Sequence, residues 1–235
     1  MGKKYELTEN KKEYSGRTLY QIKAVVSFGN VKIGDIGGWI EKEENLSQDD
    51  NCWVCGDAKI CGDAEICGDA EICGNAKIWG DAKICGDAEI WGDAKIWGNA
   101  KICGNAKIWG NAKICGDAEI CGNAKIWGNA EICGDAKICG DAEIWGNADI
   151  SNNQHFCVVG QIGTRKAYTT FFRTRDKEIC VTCGCFRGNV DEFGKRVEEV
   201  HAGTIHEKNY KAAIEFAKIV IDLKEENTDE TNETN

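Results

Sequence analysis

Between residues 53 and 148 apolar and polar positions repeat with a period of six. Sixteen uninterrupted hexapeptides read x-Ile-(Cys/Trp)-Gly-(Asp/Asn)-Ala, the first with Val in place of Ile. They run from Trp53-Val54-Cys55-Gly56-Asp57-Ala58 to Glu143-Ile144-Trp145-Gly146-Asn147-Ala148. A fixed short period of this kind means a solenoid, and six residues are too few for a helical hairpin. Alternate residues of a strand share a face, so Ala and Ile point one way and x and Cys/Trp the other. After Trp53 every x is Lys or Glu, which cannot line a dry interior. Ala and Ile are therefore predicted inside, Cys and Trp outside. The Gly-Asp and Gly-Asn dipeptides tolerate positive φ and mark a corner after each short strand.

The flanks read differently. Ile40 precedes Leu46 by six residues and Leu46 precedes Val54 by eight. This predicts earlier coils, a two-residue corner insertion within 48–51, and Cys52 at an inward Ala position. Residues 17–26 read as strand, followed by turns at Gly34 and Gly37-Gly38. An N-terminal β cap is thus expected over 1–39 and the solenoid over 40–151. Beyond Ile150 the segments 156–159, 167–173 and 178–182 read as strands. Asn189 and Glu192 form a capping-box pattern that opens a helix to about His201. A second helix is expected from about Glu207 to Leu223, with Tyr210, Ile214, Ala217 and Ile221 on one face. These elements make a small α+β module over 152–223, and the polar residues 224–235 read as a disordered acidic tail.

An Ile followed four residues later by a small residue resembles the hexapeptide-repeat, left-handed parallel β-helix family. The resemblance implies triangular coils of 18 residues. The fold class expected is therefore mainly β, a left-handed parallel β-helix with a small C-terminal α+β module. Three hexapeptides per coil give just over five coils, rising about 25 Å. The family usually has Gly directly after the aliphatic residue, where this chain has Cys or Trp, so its surface is unusual. A second resemblance lies in Ile36-Gly37-Gly38-Trp39-Ile40-Glu41-Lys42-Glu43-Glu44-Asn45-Leu46-Ser47, Gly160-Gln161-Ile162-Gly163-Thr164-Arg165 and Cys183-Gly184-Cys185-Phe186. These segments look like parts of hexapeptide-repeat proteins often encoded by phages and prophages, which implies that setting without implying an activity.

Residues 18 apart should stack. One outward column is Cys55, Cys73, Trp91, Trp109, Trp127 and Trp145; the next is Cys61, Trp79, Trp97, Cys115 and Cys133; the third is Cys67, Cys85, Cys103, Cys121 and Cys139. The tryptophans form an exposed aromatic strip, which normally marks an interface. The candidates are a neighbouring protomer or the chain's own C-terminal helix, a stacking platform for bases or sugars, or repeat drift. The cysteine columns form lines, and tetrahedral zinc needs convergence; they read as semi-apolar surface filler, and the Asp and Asn corners as turn residues and amide ladders.

Composition narrows the classes. The chain has 235 residues, 28 Gly, no Pro, 15 Cys and a net charge of −10. The charge argues against duplex DNA and anionic membranes as partners. No apolar leader and no run of about 18 apolar residues is visible, so a cytoplasmic location with reduced thiols is expected. Acyltransferases with similar coils typically use a coil or loop histidine as general base, and γ-type carbonic anhydrases three coil histidines. Here His155, His201 and His206 all lie outside the repeats, so no catalytic residue is assigned.

The better candidates lie in the C-terminal module. Arg165, Lys166, Tyr168, Arg173 and Arg175 interleave basic and aromatic groups as a phosphate-bearing ligand requires. Cys180, Cys183 and Cys185 are weak zinc candidates, and no cofactor is expected. The reading is a non-catalytic phage or prophage binding protein, a trimer by analogy with the superfold. It would bind a host protein or sequester a small anionic nucleotide. The alternatives are an acyltransferase-like enzyme using His155 and a structural, polymer-forming component.

Overall fold

The computed structural model describes residues 2–224, so the acidic tail, apart from Lys224, lies outside the described residues. Two-residue strands such as Lys95–Ile96, Lys101–Ile102 and Lys107–Ile108 fall at each hexapeptide and form three parallel sheets. Each strand pairs with the one 18 residues away, so that Ile96 lies between Ile78 and Ile114. This is the triangular parallel β-helix that the resemblance implies. The Ile and Ala positions are buried throughout, each Ile stabilising by about 1.5–3 kcal/mol.

Coil-to-coil hydrogen bonds satisfy the short strands. In one hexapeptide Lys95 N–H donates to Ala112 O at 2.9 Å, Trp97 N–H to Ile114 O at 3.0 Å and Asn99 N–H to Gly116 O at 2.9 Å. The corner glycine is required twice over. Gly104 has φ +71°, and a Cβ there would stand 2.8 Å from Gly122 O. The corner amides stack as expected, with Asn105 Nδ2 donating to Asn123 Oδ1 at 3.1 Å.

The N-terminal end is closed by β1 (Tyr5–Tyr14), β2 (Arg17–Ala24) and β3 (Ile36–Ile40). β1 and β2 are antiparallel, β3 is antiparallel to β2, and β3 pairs parallel with Lys59–Ile60 of the first coils. Cys52 is buried at the inward position. The corner insertion before it is held by Lys4, whose Nζ donates to Asp50 O at 2.6 Å and Cys52 O at 2.9 Å.

The other end is covered by an antiparallel meander of β4 (Phe156–Ile162), β5 (Ala167–Arg173), β6 (Ile179–Cys183) and β7 (Phe186–Asn189). β7 was not among the expected strands; it is four residues long and contains Gly188. α1 (Val190–His201) begins at the expected capping box, with Asn189 Oδ1 accepting from Glu192 N–H at 2.8 Å. α2 (Ile205–Val220) starts two residues earlier than expected, because Thr204 caps it. Neighbouring β5 residues divide the layers: Phe172 joins the solenoid core and Phe171 joins Phe193, Val197, Ile214 and Ala217 under the helices. No described helix is long and apolar enough to cross a membrane.

One expectation is corrected. The thiols are not all reduced: Cys55–Cys73, Cys115–Cys133 and Cys121–Cys139 are disulfides. Stacking puts these Cα atoms 4.6–4.7 Å apart, within the range of about 4.4–6.8 Å that a disulfide spans.

The alternation of faces predicts unequal costs for neighbouring truncations. Ile102→Ala should cost about 2–5 kcal/mol. Cys103→Ala should stay within about 0.5 kcal/mol. Chemical denaturation of both variants measures the difference.

Candidate functional site

The C-terminal module carries a cleft of about 230 Å³ between the β4–β5 and β6–β7 turns and the faces of α1 and α2. Phe193, Val197 and Val200 supply an apolar wall; Arg165, Arg196, His201 and Tyr210 supply polar groups at its rim and floor. Arg165 stands in the turn after Gly163, exposed, with its guanidinium over Gly184. Arg196 is tied loosely to Glu199 at 3.2 Å, both ends exposed, a pairing worth little. Tyr210 is buried; its hydroxyl accepts from Cys183 Sγ at 3.7 Å. Burial pushes the phenol up to about 12, so it keeps its proton at neutral pH and can donate to an oxygen anion. His201 leans on Tyr210 with ring centroids 5.5 Å apart and meets His206 at 5.8 Å. The buried His206 Nδ1 has no hydrogen-bond partner among the described residues.

This arrangement gathers only part of the basic-aromatic cluster expected from sequence. Arg165 lines the cleft, and Lys166 follows it, exposed, in the same turn. Tyr168 faces the last coils beside Asp141 and Glu143. Arg173 is buried, with Nε donating to Asp149 O and Nη2 to Asp149 Oδ2, both at 3.0 Å. Arg175 reaches Glu131 Oε2 at 2.9 Å and Asn129 O at 3.0 Å. Arg173 and Arg175 thus fasten the module to the rod; their guanidinium groups are taken up by coil residues and, for Arg173 Nη1, by the Lys224 carbonyl at 3.2 Å. Arg196 and Tyr210 were not singled out as ligand groups, because α1 and α2 bring them to Arg165 from far along the chain.

The three cysteines considered for zinc do not converge. Cys180 packs toward the solenoid core, Cys183 meets Thr169 and Tyr210 on the helix side, and Cys185 is exposed. Among the described residues the one grouping of three metal-binding side chains is Cys55, Glu71 and Cys73. Its two sulfurs are bonded to each other and offer no thiolate.

The tryptophan columns are broken into pairs. Trp79 and Trp97 stack at 5.1 Å and Trp109 and Trp127 at 5.3 Å, nearly parallel in both cases. Rings stacked this way cover one another's faces, so bases find mainly edges. Trp145 leaves its column and meets Phe172 edge-on, its Nε1 donating to Thr182 Oγ1 at 2.9 Å. Arg187 lies over Trp127 at 5.1 Å. The C-terminal sheet, not a helix, therefore covers one end of the strip. Trp91 and Trp109 stay open, 47% and 36% exposed.

A stretch of 60 residues is 37% identical to part of the uncharacterized acetyltransferase YdcK of Escherichia coli (strain K12), covering 22% of this chain and 18% of that protein. The chain thus matches less than a fifth of that relative's length. No protein-family model matches the chain.

The cleft depends on Gly163. It has φ +75°, and a Cβ there would fall 1.8 Å from the Tyr210 hydroxyl. Gly163→Ala should displace Tyr210 and cost about 1–3 kcal/mol. Urea denaturation reads the loss, and the tyrosine near-UV signal reads the displaced ring.

Proposed function

We propose that the protein is a non-catalytic binding protein: a stiff β-helix that carries a cleft for a small anionic group. The observation that supports this is the grouping of Arg165, Arg196 and the protonated Tyr210 hydroxyl around one partly apolar cleft. Among the described residues Arg165 has no ion-pair partner. A volume near 230 Å³ falls below the usual range of about 300–1,000 Å³ for whole-ligand pockets. It suits a phosphate or carboxylate end better than an entire dinucleotide. In the phage setting that the resemblance implies, the ligand is a host nucleotide signal and the activity is sequestration.

The second reading is an acyltransferase-like enzyme, favoured by the partial similarity to YdcK. It ranks lower because of where its expected base lies. His155 is buried; Ser151 N–H donates to its Nδ1 at 3.1 Å and its Nε2 lies 3.3 Å from Asn152 Nδ2. The polymer-forming reading ranks lower because β1–β3 pack on the first coils and the C-terminal sheet packs on the strands at Glu143–Ile144 and Asp149–Ile150, so that end-to-end stacking of coils meets added chain at both ends.

Calorimetric titration with inorganic pyrophosphate and nucleoside monophosphates tests the cleft. Binding is expected, and Arg165→Ala should weaken it about tenfold or more, as loss of a charge-assisted hydrogen bond does. No binding at high micromolar ligand, or binding indifferent to Arg165→Ala, contradicts the proposal.

The exposed Trp91 and Trp109 are assigned to contact with further copies of this chain, in a trimer. Native mass spectrometry should then show a discrete trimer. Combining Trp91→Ala with Trp109→Ala should release monomers. A monomeric parent protein, or a trimer untouched by the double substitution, speaks against this.

A further inference from the structure

One flank of the rod presents cysteine on five successive coils: Cys67, Cys85, Cys103, Cys121 and Cys139. The strands beneath them are in continuous parallel register, with Ile66, Ile84, Ile102, Ile120 and Ile138 paired in turn. Cys121 and Cys139 are joined, their Cα atoms 4.6 Å apart. Cys67, Cys85 and Cys103 are free and half-buried, on strands in the same register that brings Cys121 and Cys139 together. Every sulfur therefore has the next one within reach, along a line parallel to the rod axis.

The other two columns lack this continuity. Cys55–Cys73 is followed by Trp91, and Cys115–Cys133 is preceded by Trp97, while Cys61 is cut off by Trp79. Each of those disulfides abuts an indole on the side where a thiol would be needed. Only the third column places a free thiol, Cys103, directly beside a disulfide.

We infer that this column is a thiol–disulfide exchange ladder along which the Cys121–Cys139 disulfide moves from coil to coil. Exchange proceeds by attack of a thiolate on a disulfide sulfur, with the second sulfur leaving on the far side. Here Cys103, having given its proton to water, attacks Cys121 Sγ. The Cys103–Cys121 bond forms as the Cys121–Cys139 bond breaks, and Cys139 leaves as a thiolate that takes up a proton. One disulfide and one thiol are present before and after, so no outside oxidant or reductant is consumed. Attack by Cys85 on Cys103 carries the bond one coil further, and attack by Cys67 on Cys85 carries it to the end of the column. Five sulfurs hold at most two disulfides, so one thiol always remains to continue the exchange. The column thereby moves an oxidising equivalent from beside the C-terminal module toward the N-terminal coils while the backbone stays in place.

The sequence makes the key link readable. Trypsin leaves Cys85 and Cys103 each as the single cysteine of its peptide, residues 84–95 and 102–107. Full-length protein carrying the Cys121–Cys139 disulfide is held dilute, without oxygen or added oxidant, at mildly alkaline pH. Thiols are then alkylated and the non-reduced digest is read by mass spectrometry. The 84–95 peptide linked to 102–107 should accumulate with time while Cys139 becomes alkylated. Cys121→Ser and Cys139→Ser each lack the starting disulfide and should show no such link; circular dichroism checks that each is folded, and either alone suffices. Cys61, isolated by Trp79, should stay fully alkylated throughout. Absence of the Cys85–Cys103 link in the parent protein overturns the inference. So does its equal appearance in the folded serine variants.

Discussion

The constraint on which the molecule rests is closure of the backbone after every eighteen residues. Each turn of chain must return above itself so that N–H and C=O groups of successive coils meet, and nearly all the regular hydrogen bonding of the rod is of this kind. Closure requires a corner every six residues at which φ is positive and the neighbouring coil approaches too closely for a Cβ. Gly104 against Gly122 shows both demands at once. Once closure is set, identical positions stack. The Ile and Ala core, the corner amides, the paired tryptophans and the cysteine columns are all consequences of one register.

The C-terminal module acquires its place from that register. Its sheet lies between the last coils and the two helices, with Phe172 and Phe171 turned to opposite layers. Trp145, Arg173 and Arg175 fix it to the rod through Thr182, Asp149 and Glu131. Contacts of this kind hold the cleft around Arg165 and Tyr210 at a set position relative to the outer face of the solenoid. The repeats themselves contain no histidine.

Much of this was legible in the sequence, and the reasons differ by element. The inward and outward faces followed from parity, since Lys and Glu cannot share a dry interior with Ile. The start of α1 followed from Asn189 and Glu192, whose partners are three residues apart, and the buried face of α2 from the spacing of Tyr210, Ile214, Ala217 and Ile221. What was not legible depends on partners distant in sequence. Arg173 looks like a ligand group beside Phe171 and Phe172 until Asp149, 24 residues away, is seen to take it. Tyr210 joins Arg165 only after two helices fold back. β7 is too short to carry its own alternation, and Trp145 leaves its column because Phe172 and Thr182 arrive from another layer. The disulfides were hidden by a reading of redox environment, although the eighteen-residue stacking already placed their sulfurs side by side.

The register itself is most directly tested by circular dichroism in the indole bands of the full-length protein. Trp79 and Trp97, and Trp109 and Trp127, stack only if the chain closes every eighteen residues. The account predicts an exciton couplet in the native spectrum that vanishes when Trp97→Phe and Trp127→Phe are combined, with the rod still folded. A native spectrum of isolated indoles, unchanged by those substitutions, would contradict the stacked register and with it the positions of every column described above.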